Sequence, residues 1–265
     1  MIGAIFGDIA GSRFEGETKR PRTRDFYLFT KKSHPTDDTV LSIAVAKSIL
    51  ENEQKPDYEK WIRYYAKLYP AAGYGSRFKA WMKDKTAPND SYANGAPMRI
   101  SPIAWAYEDI GRIFEEVCRS AEVTHNHKEA IRGSRALAGS IYYARIGKGK
   151  KFIYDFVLGM GYDLLPCQDH KYEFNLESKV TVPQAVSCFL QATSLIQTIR
   201  YAIDIGGDSD TLAAMAGAVA HAYYGISDEI AEKVIGKLPP KLSNVLVQFS
   251  RKYVDQGFAG FDDEV

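Results

Sequence analysis

Cysteine is scarce: the 265 residues include only Cys118, Cys167 and Cys188. Their odd number and the absence of any C-x-x-C spacing exclude a disulfide framework and a zinc knuckle, and leave three buried, reduced thiols as the expectation. No sign of charge dominates. Lys plus Arg number 34 against 33 Asp plus Glu, a net charge of +1, so there is no electrostatic case for nucleic acid or an anionic membrane. Any bound anion must be held by local geometry. No apolar run approaches the roughly 18 residues of a membrane span. Asp8 interrupts the apolar start that a signal peptide would need, which predicts a cytoplasmic protein. Phosphate-loop, G-x-S-x-G and H-E-x-x-H motifs are missing, and Gly73-Tyr74-Gly75 lacks the third glycine of a dinucleotide fingerprint.

Alternating strand patterns are also few, and Asp25–Thr30 is too short to define a sheet. Helical periodicity takes their place: apolar residues recur at i, i+3, i+4 over 39–50, 109–122, 127–145, 181–203 and 210–223. With 45% hydrophobic residues, the chain reads as an all-α protein with one domain over 1–265. Thr211–Ala220 is small and apolar nearly all round, which predicts a central helix. Gly147–Lys151 reads as an exposed loop, and 163–180, polar and irregular, as the longest surface excursion.

Two acidic clusters open helices. Thr36-Asp37-Asp38-Thr39 follows Pro35, and Gly206-Gly207-Asp208-Ser209-Asp210-Thr211 precedes the small-residue helix. Each alone reads as an N-cap with first-turn acids, worth roughly 1 kcal/mol to its helix. Together they carry four carboxylates and at least two hydroxyls, more acceptors than capping requires, and the excess calls for a cation. An all-oxygen set suits Mg²⁺ or Mn²⁺ rather than zinc, and two ions about 3.5–4 Å apart can share such a cluster. The twelve-residue calcium-loop spacing ending in Glu is absent after both clusters.

These residues form part of a longer ordered series. Gly3-Ala4, Gly7-Asp8-Ile9-Ala10-Gly11-Ser12-Arg13-Phe14-Glu15, Thr36-Asp37-Asp38-Thr39, Tyr69-Pro70 with Gly73-Tyr74-Gly75, Asn94–Arg99, Thr124-His125 and Gly206–Thr211 together resemble the ADP-ribosylglycohydrolase family in content and order, over residues 3 to 225. The resemblance implies an all-α fold, compact and orthogonal, with a binuclear Mg²⁺ or Mn²⁺ site. Its metal positions are matched by Glu15, Thr36, Asp37, Asp38, Asp208, Asp210 and Thr211. Ser209 stands where family members commonly carry Thr.

The resemblance further implies hydrolysis of the bond between ADP-ribose and an acceptor, arginine being the first to consider, with serine, nucleic acid and O-acetyl-ADP-ribose also open. Such hydrolysis passes through an oxocarbenium-like transition state and gains from a carboxylate that positions water. Glu15 is the candidate for that task, with Asp37 and Asp210 as further catalytic candidates; Asp8 reads as a turn or cap acid ordering the site. Gly73 and Gly75 carry two readings, a simple turn or backbone N–H groups approaching a pyrophosphate. Asn94, Gly95 and Ala96 share the second reading. Tyr74 is a candidate to face adenine, and His125 to stack on or hydrogen-bond the substrate. Arg99 reads as structural before phosphate-binding, and His34, His127, His170 and His221 as neutral structural imidazoles. A monomer is expected. Two rival readings are an idle ADP-ribose-binding protein and a metal-dependent phosphohydrolase acting on nucleotide-like substrates.

Overall fold

The computed structural model describes residues 1–16, 21, 23–84, 86–169 and 174–254. His170 lies outside them. The described residues hold thirteen α-helices and no strand, only isolated bridges. In chain order the helices are α1 (Ile2–Gly11), α2 (Asp37–Glu51), α3 (Tyr58–Leu68), α4 (Ser76–Lys83), α5 (Ser101–Ala106), α6 (Ile110–Glu122) and α7 (Lys128–Arg145). There follow α8 (Lys150–Gly159), α9 (Ser178–Gln191), α10 (Leu195–Ile205), α11 (Ser209–Tyr224), α12 (Asp228–Ile235) and α13 (Pro240–Tyr253). The all-α expectation holds.

Several helix starts are fixed by the side chain before them. Asp57, Asp109 and Ser194 each accept from a backbone N–H in the first turn of α3, α6 and α10, satisfying donors that have no partner within the helix. His127 does the same for α7 through Nδ1. The expected continuous helix over 181–203 is in fact two. α9 ends at Gln191, Ala192 is extended, and Ser194 caps α10. Lys150 is less exposed than a simple loop would have it: its ammonium donates to the Leu190 and Ala192 carbonyls at the end of α9. Cys167 and Cys188 are buried and Cys118 half-buried, all three free.

The centre of the molecule is the seam between α1 and α11, both buried along nearly their whole length. A Cβ at Gly3 would lie 2.3 Å from the Gly217 carbonyl oxygen, at Gly7 2.0 Å from that of Ala213, and at Gly11 2.5 Å from Asp210 Cα. Real side chains never approach this closely, so the glycine stripe at every fourth residue lets the two backbones touch. Contacts advance along α1 as they retreat along α11, so the helices run antiparallel. The C-terminal end of α1 therefore rests on the acidic N-terminal end of α11.

Candidate active site

This docking builds the floor of a pocket. Beyond Gly11 the chain makes a short 3-10 turn, Ser12–Phe14, and delivers Glu15. Gly16 then donates its N–H to the Gly207 carbonyl at 2.9 Å, pinning Glu15 beside the loop that carries Asp208. Gly206 and Gly207, at φ 83° and 71°, occupy a region that favours glycine and turn the chain sharply into α11. One turn before Gly11, Asp8 is fully buried. Its carboxylate accepts from the Thr36 N–H at 3.0 Å, the Thr36 hydroxyl at 2.7 Å, the Thr39 N–H at 3.1 Å and the Thr39 hydroxyl. Asp8 thus caps α2 from a neighbouring helix, rather than from a turn of its own, and draws Asp37 and Asp38 over the start of α11. Thr211 completes the junction, its hydroxyl donating to Asp38 Oδ2 at 3.1 Å.

Carboxylates from three helix ends and one turn converge here as two overlapping triads, Asp8–Asp38–Asp210 and Glu15–Asp208–Asp210, with ligand atoms in each within 4.8 Å of one another. Burial raises Asp8, Asp37, Asp38, Asp208 and Asp210 above the ordinary carboxylate range. Mutual repulsion adds to burial for Asp37, which reaches about 7, and for Asp38 and Asp210. Asp208 reaches about 6, its rise opposed by the Asn94 carboxamide, which donates to Oδ2. Concentrated buried negative charge of this kind calls for neutralisation by protons or cations. Asp38 Oδ1 is buried without a hydrogen-bond partner. The donors are all oxygen, so the residues fit hard divalent cations, and Asp210, common to both triads, fits a bridge between two.

Above the floor lies a cavity of about 300 Å³. Its walls come from loops. The segment 89–94 is tied to Leu176 and Ser178 by Asn94 N–H to Leu176 O at 2.8 Å and Ser178 Oγ to Ala93 O at 2.8 Å. It is tied to the 124–127 turn by Asn126 N–H to Asn89 O at 2.6 Å. The start of α4 and its apolar side chains Phe78 and Trp81 form a further part of the wall, with Met98 and Leu176 adding apolar surface. The expected surface excursion at 163–180 is therefore no mere excursion, since its end supplies Phe174 and Leu176 to the pocket.

Glu15, Asp37, Asp38, Asp208, Asp210, Thr211, Gly73, Gly75, Asn94, Gly95 and His125 all line this cavity. Three anticipated residues do not. Thr36 spends its hydroxyl on Asp8 and Asp38 beneath the floor. Tyr74 does not face the cavity: its ring is buried and stacks on Phe78, with centroids 4.9 Å apart. Ala96 is fully buried, away from the lining. The Asn94 N–H is engaged by Leu176, so its contribution is the carboxamide held against Asp208. Gly95 has a second reason to be glycine, since a Cβ would lie 2.9 Å from His125 Cε1 and Nε2. Arg99 is wholly buried and donates to Gly95 O, Ser120 O and the Thr124 hydroxyl, in line with a structural role. Of the other described histidines, His221 is buried against Trp105 and the Met1 amine, while His34 bonds the Lys32 carbonyl. Sequence reasoning passed over Phe78 and Trp81, whose i, i+3 spacing on α4 was the available signal.

The model of the ADP-ribosylglycohydrolase family matches residues 1–258. Human ADP-ribosylhydrolase ARH3 is 25% identical, over 88% of this chain and 86% of its own. The ADP-ribosyl-[dinitrogen reductase] glycohydrolase of Rhodospirillum rubrum is 24% identical, over 99% of this chain and 96% of its own. A solved structure of an ADP-ribosylglycohydrolase-related protein complex superposes with a TM-score of 0.71 at 24% identity, covering 94% of this chain and 96% of that one. The ordered motifs, the helical architecture and the match along nearly the whole chain place this protein in the ADP-ribosylglycohydrolase family.

Proposed function

We propose that this protein is a metal-dependent hydrolase that removes ADP-ribose from an acceptor by cleaving the glycosidic bond at the distal ribose. The observation that carries this reading is the pair of carboxylate triads sharing Asp210 at the base of the cavity. Asp8, Asp38 and Asp210 would hold one Mg²⁺ or Mn²⁺, and Glu15, Asp208 and Asp210 a second, with Asp37 and Thr211 at their margin. Bound cations would fix ribose hydroxyls and stabilise charge as the glycosidic bond breaks.

The protein's own groups supply the rest. Glu15, the exposed member of its triad, is placed to orient or deprotonate the attacking water as positive charge builds on the anomeric carbon. Asp208, held by the Asn94 carboxamide, keeps its orientation without reorganisation. The backbone at Gly73 and Gly75, at the start of α4, offers N–H groups to a pyrophosphate, and the apolar side chains Phe78 and Trp81 suit a flat base. The Rhodospirillum rubrum relative, named for ADP-ribosyl-[dinitrogen reductase], supports a protein acceptor, and arginine-linked ADP-ribose is the first to test.

The experiment is release of ADP-ribose from arginine-, serine- and nucleic-acid-linked substrates with Mg²⁺, with Mn²⁺ and with EDTA. The proposal predicts release from at least one linkage, abolished by EDTA. Binding of ADP-ribose without release from any acceptor would replace it with an idle binding protein, and phosphate release in place of ADP-ribose would replace it with a phosphohydrolase.

A further inference from the structure

Three polar groups in the pocket wall form a chain. Arg99, wholly buried, donates from Nη2 to the Thr124 hydroxyl oxygen at 2.9 Å. The same oxygen lies 2.7 Å from His125 Nδ1. Thr124 and His125 are themselves buried, at 5% and 6% exposure. The imidazole lines the cavity, and Nε2 has no protein partner among the described residues.

The hydrogen count along this chain has one satisfactory solution. A guanidinium has no acceptor capacity, so Arg99 can only donate and the Thr124 oxygen must accept. If His125 Nδ1 also carried a proton, both neighbours would donate to Thr124. The threonine proton would then be left buried without an acceptor, since its only other described neighbour in this chain is the Arg99 cation. Burial of an unsatisfied hydroxyl is costly. With Nδ1 as acceptor the Thr124 hydroxyl accepts from Arg99 and donates to His125, and the ring proton lies on Nε2, facing the cavity.

We propose that Thr124 is a positioning residue. Its hydroxyl, oriented by Arg99, holds His125 as the neutral Nε2–H tautomer and so presents a hydrogen-bond donor to an acceptor oxygen of the substrate. Neutrality is reinforced by burial and by the cations Arg99 and Arg77, which push the imidazole well below its usual range. Arg99 itself, pushed down to about 9 by burial, remains charged at neutral pH. The site is therefore built to donate one hydrogen bond from a fixed position without adding a second titrating cation to the wall. The part of this inference that concerns substrate rests on the functional reading above; the tautomer does not.

The test combines ¹⁵N NMR of the histidine ring with calorimetric titration of ADP-ribose, in the wild type, Thr124→Val and Thr124→Ser. The wild type should show the Nε2–H pattern for His125. Thr124→Val should disturb that pattern and weaken ADP-ribose binding by roughly tenfold, the equivalent of one hydrogen bond, and Thr124→Ser should restore both. An Nδ1–H tautomer or an imidazolium in the wild type at neutral pH overturns the proposal. So does a valine variant that changes the tautomer and still binds ADP-ribose as tightly as the wild type. A wild type that shows the Nε2–H tautomer yet binds no ADP-ribose would overturn the functional reading and support the tautomer assignment.

Discussion

The floor and the walls of the pocket are held by different forces. The floor is made of buried carboxylates fixed by side-chain hydrogen bonds at helix ends, brought together where α1 and α11 touch backbone to backbone. The walls are loops, tied by main-chain hydrogen bonds such as Asn94 to Leu176 and faced with apolar side chains. A floor built this way concentrates like charge that only protons or cations relieve, and its geometry depends on a seam with no spare space. Walls built this way exchange side chains at little cost to the backbone that carries them. On the proposed function, the difference separates chemistry from substrate fit within a single cavity.

The largest effect should follow from Asp210, the carboxylate common to both triads. Asp210→Ala is expected to lower activity by at least about a thousandfold while circular dichroism shows helicity retained. Full activity in that variant would sink the assignment of the floor. Next comes the seam. A Cβ at Gly7 would sit 2.0 Å from the Ala213 carbonyl oxygen, and α1 has no room to withdraw without moving Asp8 and Glu15. Gly7→Ala should cost about 3 kcal/mol and lower the melting temperature by roughly 10 °C. A thermal scan showing an unchanged midpoint would contradict the close-contact account.

A smaller effect is expected from pH. Burial and neighbouring carboxylates raise Asp37 from 3.8 to about 7, and Asp208 is raised to about 6. Between about pH 4 and 7 the folded, metal-free protein therefore retains protons that the unfolded chain has released. Its stability must fall as pH rises through that interval. The melting temperature with EDTA should be about 5 °C lower at pH 7.5 than at pH 5, and Mn²⁺ should recover the loss at pH 7.5, where it meets less competition from protons than at pH 5. A melting temperature that rises over this range without metal would contradict the charge-crowded floor. The smallest effect belongs behind the wall. The Tyr74 hydroxyl is buried without a partner, so Tyr74→Phe should change stability by less than about 0.5 kcal/mol and leave activity intact; a large loss in either would restore Tyr74 to the site.

The same contrast governs what could be read from sequence. Floor residues announce themselves because Asp-rich helix starts exceed what capping needs, and Thr36–Asp38 and Asp208–Thr211 are local runs. Gly3, Gly7 and Gly11 also carried a readable signal, a four-residue spacing on one helix face, and it explains how Glu15 reaches Asp210. The role of Asp8 as a cap for α2 was not readable, because it depends on one helix docking on the end of another. Wall positions depend on which loops meet. Nothing local to Leu176 ties it to Asn94, and Tyr74, placed between two pocket glycines, turns inward to stack on Phe78. The break between α9 and α10 was hidden by apolar periodicity continuing through it, although Ser194 before a helical run was a capping signal.

The central claim is that two divalent cations share the floor through Asp210. Titration of the metal-free protein with Mn²⁺, followed by calorimetry and electron paramagnetic resonance, tests it most directly. The account predicts two Mn²⁺ per chain with a spin-coupled spectrum, and loss of that coupled pair in Asp210→Ala; failure to bind Mn²⁺, or an undiminished coupled pair in the variant, would contradict it.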